Sequence, residues 1–391
     1  MTPPRPITHP PRFHFFGYYG MTPWNATGKY LLAIETSFMD RPPAADDQAT
    51  VGMVELDTGK FIRLAETRAW NWQQGCMMHW LPTAPDRLII YNDRRDGRFV
   101  SVILDIESGA ERVIDRAVAA ISRSGRYALS INFARLAVTR PGYGYEGILD
   151  PFQRENRPPG DGIYLVDLER NTSKLVIPLA QLAPLIPAPP QDKLWFNHLL
   201  FNTDDSRFCF LGRFRPKEGR FSSSLSTSFF TSDPSGARLH CLARDTVVSH
   251  FDWKSEKEIL AFAQYRDVGY RFILYTDLTD TQRPVGQGKL TTDGSAQDQD
   301  GHCSWSPDRT WILNDTYPLD DGCRRLMLYN PEKDLLIPLG KYLSPPETNK
   351  PEEIRCDLHP RWSRDGSQVC FDSLHEGTRQ IYLLDVAQYT R

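Results

Sequence analysis

A short phrase that recurs along the chain constrains the fold more than any other feature. Residues 300–308 read Asp-Gly-His-Cys-Ser-Trp-Ser-Pro-Asp, and residues 357–365 read Asp-Leu-His-Pro-Arg-Trp-Ser-Arg-Asp. Looser copies of this pattern, a histidine followed at the third position by an aromatic residue and then by a polar turn, start at His250 and His198. Three upstream copies keep the aromatic or apolar residue and the turn but lose the histidine: Trp24, Trp80 and Ile121. The chain therefore carries seven copies of one unit.

Each copy is followed by runs of β-branched and aromatic residues that end in a further turn, a pattern typical of short β-strands. The copies are spaced about 45 to 55 residues apart, with one gap of roughly 80, and the shorter spacing is that of four-stranded propeller blades. A single blade cannot bury both of its faces, whereas a closed ring packs every sheet between two neighbours and removes exposed edges. The sequence therefore predicts an all-β fold, a seven-bladed β-propeller of four-stranded antiparallel blades.

The repeat also predicts the domain organisation. We expect a single domain over residues 1–391, because a propeller grows by adding blades without a second core. The last unit contains only three strand patterns, so we expect the N-terminal arm, residues 1–23, to supply the missing strand through its aromatic stretch at residues 12–19. Residues 132–161 form an insertion in blade three that is rich in Tyr, Pro and Gly, and we expect it to fold over one face of the ring.

Composition argues against several classes of function. A net charge of -3 at pH 7 disfavours a nucleic-acid partner, which requires a basic surface. No apolar run approaches the roughly 18 residues of a membrane span, and the N-terminal residues lack the apolar core of a signal peptide. The seven cysteines are odd in number and irregularly spaced, which favours reduced thiols over a disulfide framework. We therefore expect a cytoplasmic protein with no membrane or nucleic-acid partner.

The most unusual stretch, residues 70–80, opens the second unit, where an innermost strand should begin. Its residues Trp72, Gln73 and Gln74 combine an aromatic platform with amide groups. Such sets bind sugars, because aromatic rings stack on the CH faces and amides bridge the hydroxyls. The stretch indicates a sugar site at the mouth of the central channel, with a packed aromatic core corner as the alternative.

Arginine and tyrosine residues add to this site. Arg213 closes an otherwise apolar strand in the fourth unit, so it requires an internal carboxylate or a bound anion as a partner. The insertion contains Arg140, Tyr143 and Tyr145, and long ordered loops in compact domains are usually functional. The alternative is a tyrosine-rich plug that packs for stability.

The repeated histidines indicate a further site. Equivalent positions of successive blades lie around one axis, so we expect four side chains to form part of a ring: His198, His250, His302 and His359. His302, Cys356 and His359 together offer the imidazole and thiolate donors of a Zn²⁺-like site, with Asp315 or Cys323 as a fourth ligand. The alternative is that each imidazole simply bonds to the backbone of the next blade.

The chain shows no Gly-x-Ser-x-Gly elbow, no phosphate-binding loop and no evident pair of catalytic carboxylates. The chemistry that remains belongs to His, Tyr and Arg. These residue types suit elimination from a uronic acid, in which a cation or metal neutralises the carboxylate, His or Tyr removes the adjacent proton, and Tyr or His protonates the leaving oxygen.

Four segments of the sequence resemble a known group of proteins. They read Trp-Asn-Trp-Gln-Gln-Gly-Cys-Met-Met-His, Asn-His-Leu-Leu-Phe-Asn-Thr-Asp-Asp with Phe-Leu-Gly-Arg-Phe, Asp-Gly-His-Cys-Ser-Trp-Ser-Pro with Asn-Asp-Thr-Tyr-Pro, and Arg-Cys-Asp-Leu-His-Pro-Arg-Trp-Ser-Arg-Asp-Gly. The group comprises the seven-bladed polysaccharide lyases, which include oligogalacturonate lyase and the ulvan lyases, and the related propeller rhamnosidases. The resemblance spans blades two to seven and points to the superfamily rather than to a substrate.

The resemblance implies roles for particular residues. Oligogalacturonate lyase binds manganese through histidines and a glutamine; His302 and His359 match, whereas Cys356 stands where a glutamine would, which favours a zinc-like or structural site. The His, Tyr and Arg set of the ulvan lyases implies five catalytic candidates by position: His79, Tyr143, Tyr145, His198 and Arg213. The second catalytic histidine expected in the hairpin at residues 93–98 is absent. The propeller rhamnosidases use one histidine on the opposite face, for which His14 is the candidate.

We therefore interpret the chain as a carbohydrate-active enzyme, a carbon-oxygen lyase that cleaves a uronate-containing oligosaccharide or polysaccharide by β-elimination. The expected partner is an acidic glycan, and the expected cofactor is a divalent metal, Zn²⁺ or Mn²⁺, in a catalytic or structural role. The residues expected to bind substrate are Trp72, Gln73, Gln74, Arg140, Asn197 and His250. Two alternatives are a hydrolase that removes rhamnose linked to glucuronate and a non-catalytic sugar-binding or scaffold propeller.

Overall fold

The computed structural model shows seven four-stranded antiparallel sheets arranged as a β-propeller, which confirms the predicted fold class. The structure describes residues 3–215, 225–266, 268–288, 290, 298–345 and 351–390. In blades one to six, four consecutive strands run from the axis to the rim as an antiparallel meander. The described residues contain no helix long and apolar enough to cross a membrane.

The strands of the seven blades have the following bounds. The inner strands span Phe13–Phe15, His79–Trp80, Ala120–Ile121, Trp195–Phe201, Val248–Trp253, Ser304–Trp305 and Arg361–Trp362. The second strands span Tyr30–Thr36, Leu88–Arg95, Tyr127–Ser130, Phe208–Phe214, Glu258–Tyr265, Ile312–Asp315 and Gln368–Ser373. The third strands span Ala49–Glu55, Arg98–Asp105, Gly162–Asp167, Ser226–Ser232, Gly269–Thr276, Cys323–Asn330 and Gln380–Asp385. The outer strands of blades one to six span Lys60–Thr67, Glu111–Ile114, Thr172–Pro178, His240–Thr246, Gln282–Val285 and Leu335–Leu343.

The ring closes through the N-terminal arm, but not through the predicted residues. Arg5–Pro6 pairs with the third strand of blade seven and forms its outer strand, with Arg5 opposite Leu383. The assignment of the closing strand to residues 12–19 is therefore wrong, because Phe13–Phe15 is the inner strand of blade one. The apolar side chains of Phe15 and Phe16 are fully buried, so this stretch belongs in the core rather than at the rim.

The repeated aromatic residue explains why the sequence pattern produces a ring. The indole nitrogen of Trp253 donates to the Leu200 carbonyl at 3.2 Å, and that of Trp362 donates to the Ser304 carbonyl at 3.4 Å. Both acceptors lie in the inner strand of the preceding blade. A buried indole N–H requires an acceptor, so each of these tryptophans fixes its own blade against the one before it.

The core consists of apolar layers between adjacent blades. One layer joins blades four and five, where Phe229 packs with Trp253 and Ile273. A buried ion pair between Arg207 and Asp277, at 2.7 Å, links the same two blades. Helices occupy connections and the C-terminal segment: Phe133–Thr139, Leu179–Leu182 and Ala387–Thr390, with short 3₁₀ turns at Gly286–Gly288 and Glu352–Ile354.

Candidate functional site

The seven inner strands run in the same direction along the axis, so the channel has two distinct ends. We call the end at which the inner strands begin the upper end, and the end at which they finish the lower end. The upper end also receives the residues that follow each second strand, because the blades are antiparallel meanders. Arg355, Arg215 and the insertion around Tyr143 meet there, whereas the polar turns of the repeat lie at the lower end.

Two tyrosines occupy the channel between the repeated histidines. The Tyr18 ring stacks on His198 with centroids 5.0 Å apart, and its hydroxyl oxygen lies 3.5 Å from His198 Nε2. Tyr19 contacts His250 edge-on, and its hydroxyl donates to the Phe251 carbonyl at 3.1 Å. Tyr18 and Tyr19 are not among the site residues that the sequence predicts. The available signal was the pair of glycines that flanks them, because Gly17 approaches the Gln74 backbone too closely for any Cβ.

The repeated histidines lie around the axis at close range. The ring centroids of His250 and His302 are 4.1 Å apart, and those of His302 and His359 are 4.3 Å apart. His302 Nδ1 bonds to the buried Asp315 carboxylate at 2.9 Å. This bond fixes the tautomer, so the Nε2 atom of His302 carries a free lone pair.

A group that could hold a metal lies beside this bond. One ligand atom from each of His302, Asp357 and His359 lies within 4.8 Å of the others, and all three residues are buried. The Nε2 atoms of His302 and His359 have no hydrogen-bond partner in the described part of the chain. Burial lowers the pKa of His359 well below its ordinary value, so its imidazole is neutral, as a metal ligand must be.

Asp357 takes the place that the sequence analysis gave to Cys356. Burial raises the pKa of the Cys356 thiol, so the thiolate that a metal requires is disfavoured, and Cys356 is not part of the group. Two further ligands were predicted. Asp315 accepts the hydrogen bond from His302 Nδ1 and is not part of the group. Cys323 also lies outside the group. The predicted set is therefore corrected to His302, Asp357 and His359.

Two arginines hold the Asp357 carboxylate. Arg355 Nε donates to its Oδ2 at 2.8 Å, and Arg324 Nη2 lies 2.8 Å from its Oδ1. Burial alone would raise the pKa of Asp357, but Arg355 and Arg324 hold it well below its usual range. The carboxylate is therefore charged at neutral pH, and the hydrogen bond from Arg355 orients it.

A cavity of about 110 Å³ opens beside this charge cluster at the upper end. It is lined by Arg140, Pro141, Tyr143, Arg215, Glu352, Glu353 and Arg355. Arg355 Nη2 donates to the Tyr143 hydroxyl at 3.1 Å, which connects the cavity to the carboxylate of Asp357. Gln73 Nε2 donates to the carbonyls of Glu353 and Arg355, so this predicted sugar-binding amide positions the segment instead.

Arg213 and His198 complete the upper end. Arg213 is buried, donates to Thr227 Oγ1 at 3.0 Å and to Asn197 Oδ1 at 3.4 Å, and has no carboxylate within 4.0 Å among the described residues. Burial lowers its pKa to about 10, so the guanidinium keeps its charge at neutral pH. Burial, with the nearby Arg213 charge, also lowers the pKa of His198 well below its ordinary value. His198 therefore presents a neutral imidazole, whose ring meets Tyr143 edge-on at 5.5 Å.

Neither a known protein family nor a curated protein matches the sequence. The fold is similar to that of oligogalacturonate lyase. The enzyme from Vibrio parahaemolyticus matches with a TM-score of 0.65 and 14% identity, over 97% of this chain and 93% of that one. An oligogalacturonate lyase in complex with manganese matches with a TM-score of 0.66 and 15% identity, over 97% of this chain and 92% of that one.

The same fold occurs in proteins of other activity. A puromycin-hydrolysing peptidase of Mycobacterium tuberculosis matches with a TM-score of 0.59 and 12% identity, over 96% of this chain but 53% of that one. Identities of this size show a common propeller architecture. The chemistry of this chain therefore has to be argued from its own residues.

The predicted sugar-binding and catalytic residues do not all meet at the upper end. The site there includes Arg140, Tyr143, His198, Arg213 and, through Arg213, Asn197. His250 lies in the histidine ring, and its Nδ1 bonds to Asp300 at 3.0 Å. His79 and Gln74 line a separate cavity that includes the lower-end turn residues Ser122 and Arg123.

Three further candidates lie in packed surroundings. Tyr145 is fully buried, stacks on Phe133 and accepts a hydrogen bond from Asn92 Nδ2 at 3.0 Å. Trp72 packs against Trp70, and its indole nitrogen donates to the Arg41 carbonyl at 2.8 Å. These contacts correspond to the alternatives of a packed tyrosine and an aromatic core corner. His14 bonds to Gln380 at 3.0 Å and pairs with Glu35 at 3.3 Å, also among buried groups.

Proposed function

We propose that this chain is a lyase that cleaves a uronate-containing oligosaccharide by β-elimination at the upper end of the channel, with a divalent metal held by His302, Asp357 and His359. One observation carries the proposal: three buried metal-ligand atoms converge next to a cavity lined by Arg140, Tyr143, Arg215 and Arg355. The similarity of the fold to an oligogalacturonate lyase that contains manganese supports it.

The donor set fits a divalent metal of intermediate softness. Two imidazoles and one carboxylate are ligands of Mn²⁺ and Zn²⁺ alike, and the bond from Asp315 to His302 supplies the usual outer support for a ligating histidine. When bound, such an ion supplies a positive charge that neutralises a substrate carboxylate and makes the adjacent C–H bond more acidic. The unpartnered Nε2 atoms of His302 and His359 provide the lone pairs for it.

The arginines of the upper cavity bind the acidic substrate. Arg140, Arg215 and Arg355 bring three guanidinium groups to a cavity that also contains Glu352 and Glu353. Arg355 is already bonded to Asp357, Glu352 and Tyr143. A guanidinium fork matches the two oxygens of a carboxylate, so Arg140 and Arg215 select and orient a uronate ring. The buried charge of Arg213, which has no carboxylate within 4.0 Å among the described residues, strengthens the positive field.

Tyr143 and His198 carry the proton transfers in this proposal. The neutral His198 imidazole removes the proton from the carbon next to the carboxylate, and the electron pair of that C–H bond forms the new C=C double bond. The glycosidic C–O bond at the neighbouring carbon breaks, and its oxygen takes a proton from the Tyr143 hydroxyl. The rings of His198 and Tyr143 meet edge-on with their centroids 5.5 Å apart. The base can therefore remove one proton, and the acid donate another, on the same face of the sugar.

The test is a screen of acidic polysaccharides for the unsaturated uronate product, which absorbs in the ultraviolet. We expect product with the purified protein, loss after chelation and recovery when Mn²⁺ or Zn²⁺ is restored. His302→Ala should lose both the metal, measured by elemental mass spectrometry, and the activity. The matched control is His375→Ala, because His375 is bonded to Ser373 in blade seven, outside the histidine ring.

The same screen separates the alternatives. A glycan that is shortened without an ultraviolet-absorbing product indicates hydrolysis and contradicts the lyase proposal. A shift in melting temperature with an acidic oligosaccharide but without any product indicates a binding protein and contradicts it as well. Tyr143→Phe should reduce kcat about 10² to 10⁴-fold, the usual contribution of a positioned acid, while metal content stays unchanged.

A further inference from the structure

The lower end of the channel contains two adjoining chambers, and His198 is the one residue of the proposed lyase chemistry that lines either of them. The first has a volume of about 260 Å³ and the second about 210 Å³. They share five residues, which form a common rim: Gly20, Met21, Thr22, Arg123 and Arg364. Arg123 and Arg364 belong to turns that follow inner strands, so this rim lies at the opposite end from Arg355.

Apolar residues form most of the wall of the first chamber, whose volume suits a single ring. Its walls include Met21, Met77, Trp80, Phe133 and Phe251. A closed apolar cavity of about 150 Å³ is enough to hold benzene, so this space accepts one six-membered aromatic ring with substituents. Methionine and aromatic side chains form favourable contacts with such a ring.

His79 is one of the polar residues that line this mostly apolar chamber. Neither ring nitrogen of His79 has a hydrogen-bond partner among the described residues, and its Nε2 atom is buried. Burial lowers the pKa of His79 to about 4, so the imidazole is neutral and can either accept or donate one hydrogen bond. A ligand hydroxyl at the far end of the ring would satisfy it.

The second chamber is polar and positively charged. Arg123, Arg309 and Arg364 line it, with Asp252 as a carboxylate. That carboxylate accepts a hydrogen bond from the Trp305 backbone N–H at 2.8 Å and lies 3.6 Å from Arg309. Arg309 therefore already compensates its negative charge. The Arg123 guanidinium forms no hydrogen bond or ion pair with the described residues.

Donors without partners surround the same chamber. Ser304 Oγ, Trp305 Nε1 and Thr22 Oγ1 are buried polar atoms without a hydrogen-bond partner in the described part of the chain. An indole N–H can only donate, and hydroxyl groups donate to carboxylates readily. With the free guanidinium of Arg123 they form a set of donors suited to one anionic group.

We propose that the lower end is a binding site for a small aromatic carboxylate, with its carboxylate in the second chamber between Arg123 and Arg364, its ring in the first chamber, and a ring hydroxyl bonded to His79. No metal ligand and no residue of the upper cavity lines either chamber, so the contacts of Arg123, Arg364 and His79 do not depend on the lyase proposal. His198, which contacts Tyr143, also lines the first chamber and so joins the two ends.

Titration calorimetry with matched probes tests the site. We expect 3-(4-hydroxyphenyl)propanoate to bind the full chain, its neutral amide to bind about tenfold to a hundredfold more weakly, and glucuronate not to bind at this end. Arg123→Gln should weaken the acid by a similar factor and leave the amide unchanged. The control is Arg126→Gln, because Arg126 lies on the same hairpin but does not line either chamber.

A second variant keeps the result independent of folding. His79→Phe preserves the ring shape, so it should keep binding of 3-phenylpropanoate and remove the preference for the hydroxylated acid. Equal affinity for acid and amide overturns the proposal. So does binding that survives Arg123→Gln but is lost in Arg355→Gln, because the ligand then occupies the upper cavity. Binding of glucuronate in an Arg123-dependent manner would assign the site to a sugar acid and overturn it too.

Discussion

The two ends of the channel are formed by the same seven blades, yet they satisfy their polar groups in opposite ways. At the upper end, buried charges meet one another: Asp357 lies between Arg324 and Arg355. At the lower end, His79 lines a mostly apolar chamber and has no hydrogen-bond partner among the described residues. Asp357 belongs to the recurring phrase ahead of an inner strand, whereas Arg123 and Arg364 of the lower rim belong to the polar turns that follow inner strands.

This difference indicates how each end responds to change. A buried ion cluster costs much stability when one partner is removed, because the remaining charges are left without compensation. A buried neutral histidine without a partner costs about 1 to 3 kcal/mol, and the cost rises further when it must take up a proton. The upper end should therefore be sensitive to substitution at neutral pH, and the lower end should be sensitive to acid.

The largest expected effect is at the upper end. Asp357→Ala leaves Arg324 and Arg355 buried without their carboxylate, so we expect a loss of about 3 to 5 kcal/mol in the free energy of unfolding. Urea denaturation at neutral pH measures it. The matched control is Asp321→Ala, which removes a half-exposed partner of Arg325 and should cost about 1 kcal/mol or less. Equal losses in the two variants would show that the upper cluster does not stabilise the fold.

The lower end supplies the next largest effect, through pH. His79 has a pKa of about 4 in the folded state and 6.5 in the reference state, so the unfolded chain binds a proton that the folded chain does not. The stabilising contribution is complete above about pH 6.5 and is lost progressively as the pH falls toward about 4, by roughly 3 kcal/mol in all. His79→Phe should remove this part of the acid sensitivity.

Urea denaturation at about pH 7 and about pH 4.5 measures the free energy of unfolding of the parent chain and of His79→Phe. The difference between the two pH values should be smaller in His79→Phe than in the parent chain. His9→Gln serves as the control, because His9 is exposed and should leave the difference unchanged. An identical pH dependence in the parent and in His79→Phe would mean that His79 takes up its proton in the folded state.

The fold was largely predictable from the repeat, whereas ring closure was not. The histidine, the aromatic residue and the polar turn recur because each unit needs the same contact to its neighbour, as the bond from Trp362 to Ser304 shows. The closing strand Arg5–Pro6 has two residues, too few for any alternation of apolar and polar side chains. The aromatic stretch at residues 12–19 has a stronger pattern, but that pattern reflects burial in the core.

The candidate site was predictable by region but not by residue. Cys356 and Asp357 are adjacent, and neighbours in extended chain point in opposite directions, so composition could not decide which one joins His302 and His359. The same limit applies to Tyr143 and Tyr145, which lie in an insertion without periodicity. Tyr18 was missed because a tyrosine next to an apolar strand is usually a core residue.

The smallest expected effect distinguishes Tyr145 from Tyr143. Tyr145→Phe removes one hydrogen bond, from Asn92 Nδ2, which also donates to the Val118 carbonyl, so the cost in unfolding free energy should be about 1 kcal/mol. Because Tyr145 stacks on Phe133 away from the upper cavity, lyase activity should stay within about twofold of the parent at a temperature well below unfolding. Tyr143→Phe should show the reverse, a large loss of kcat with little loss of stability, since its hydroxyl faces Arg355. Equal loss of activity in both variants would mean that the insertion acts on the site as one packed unit rather than through a single hydroxyl.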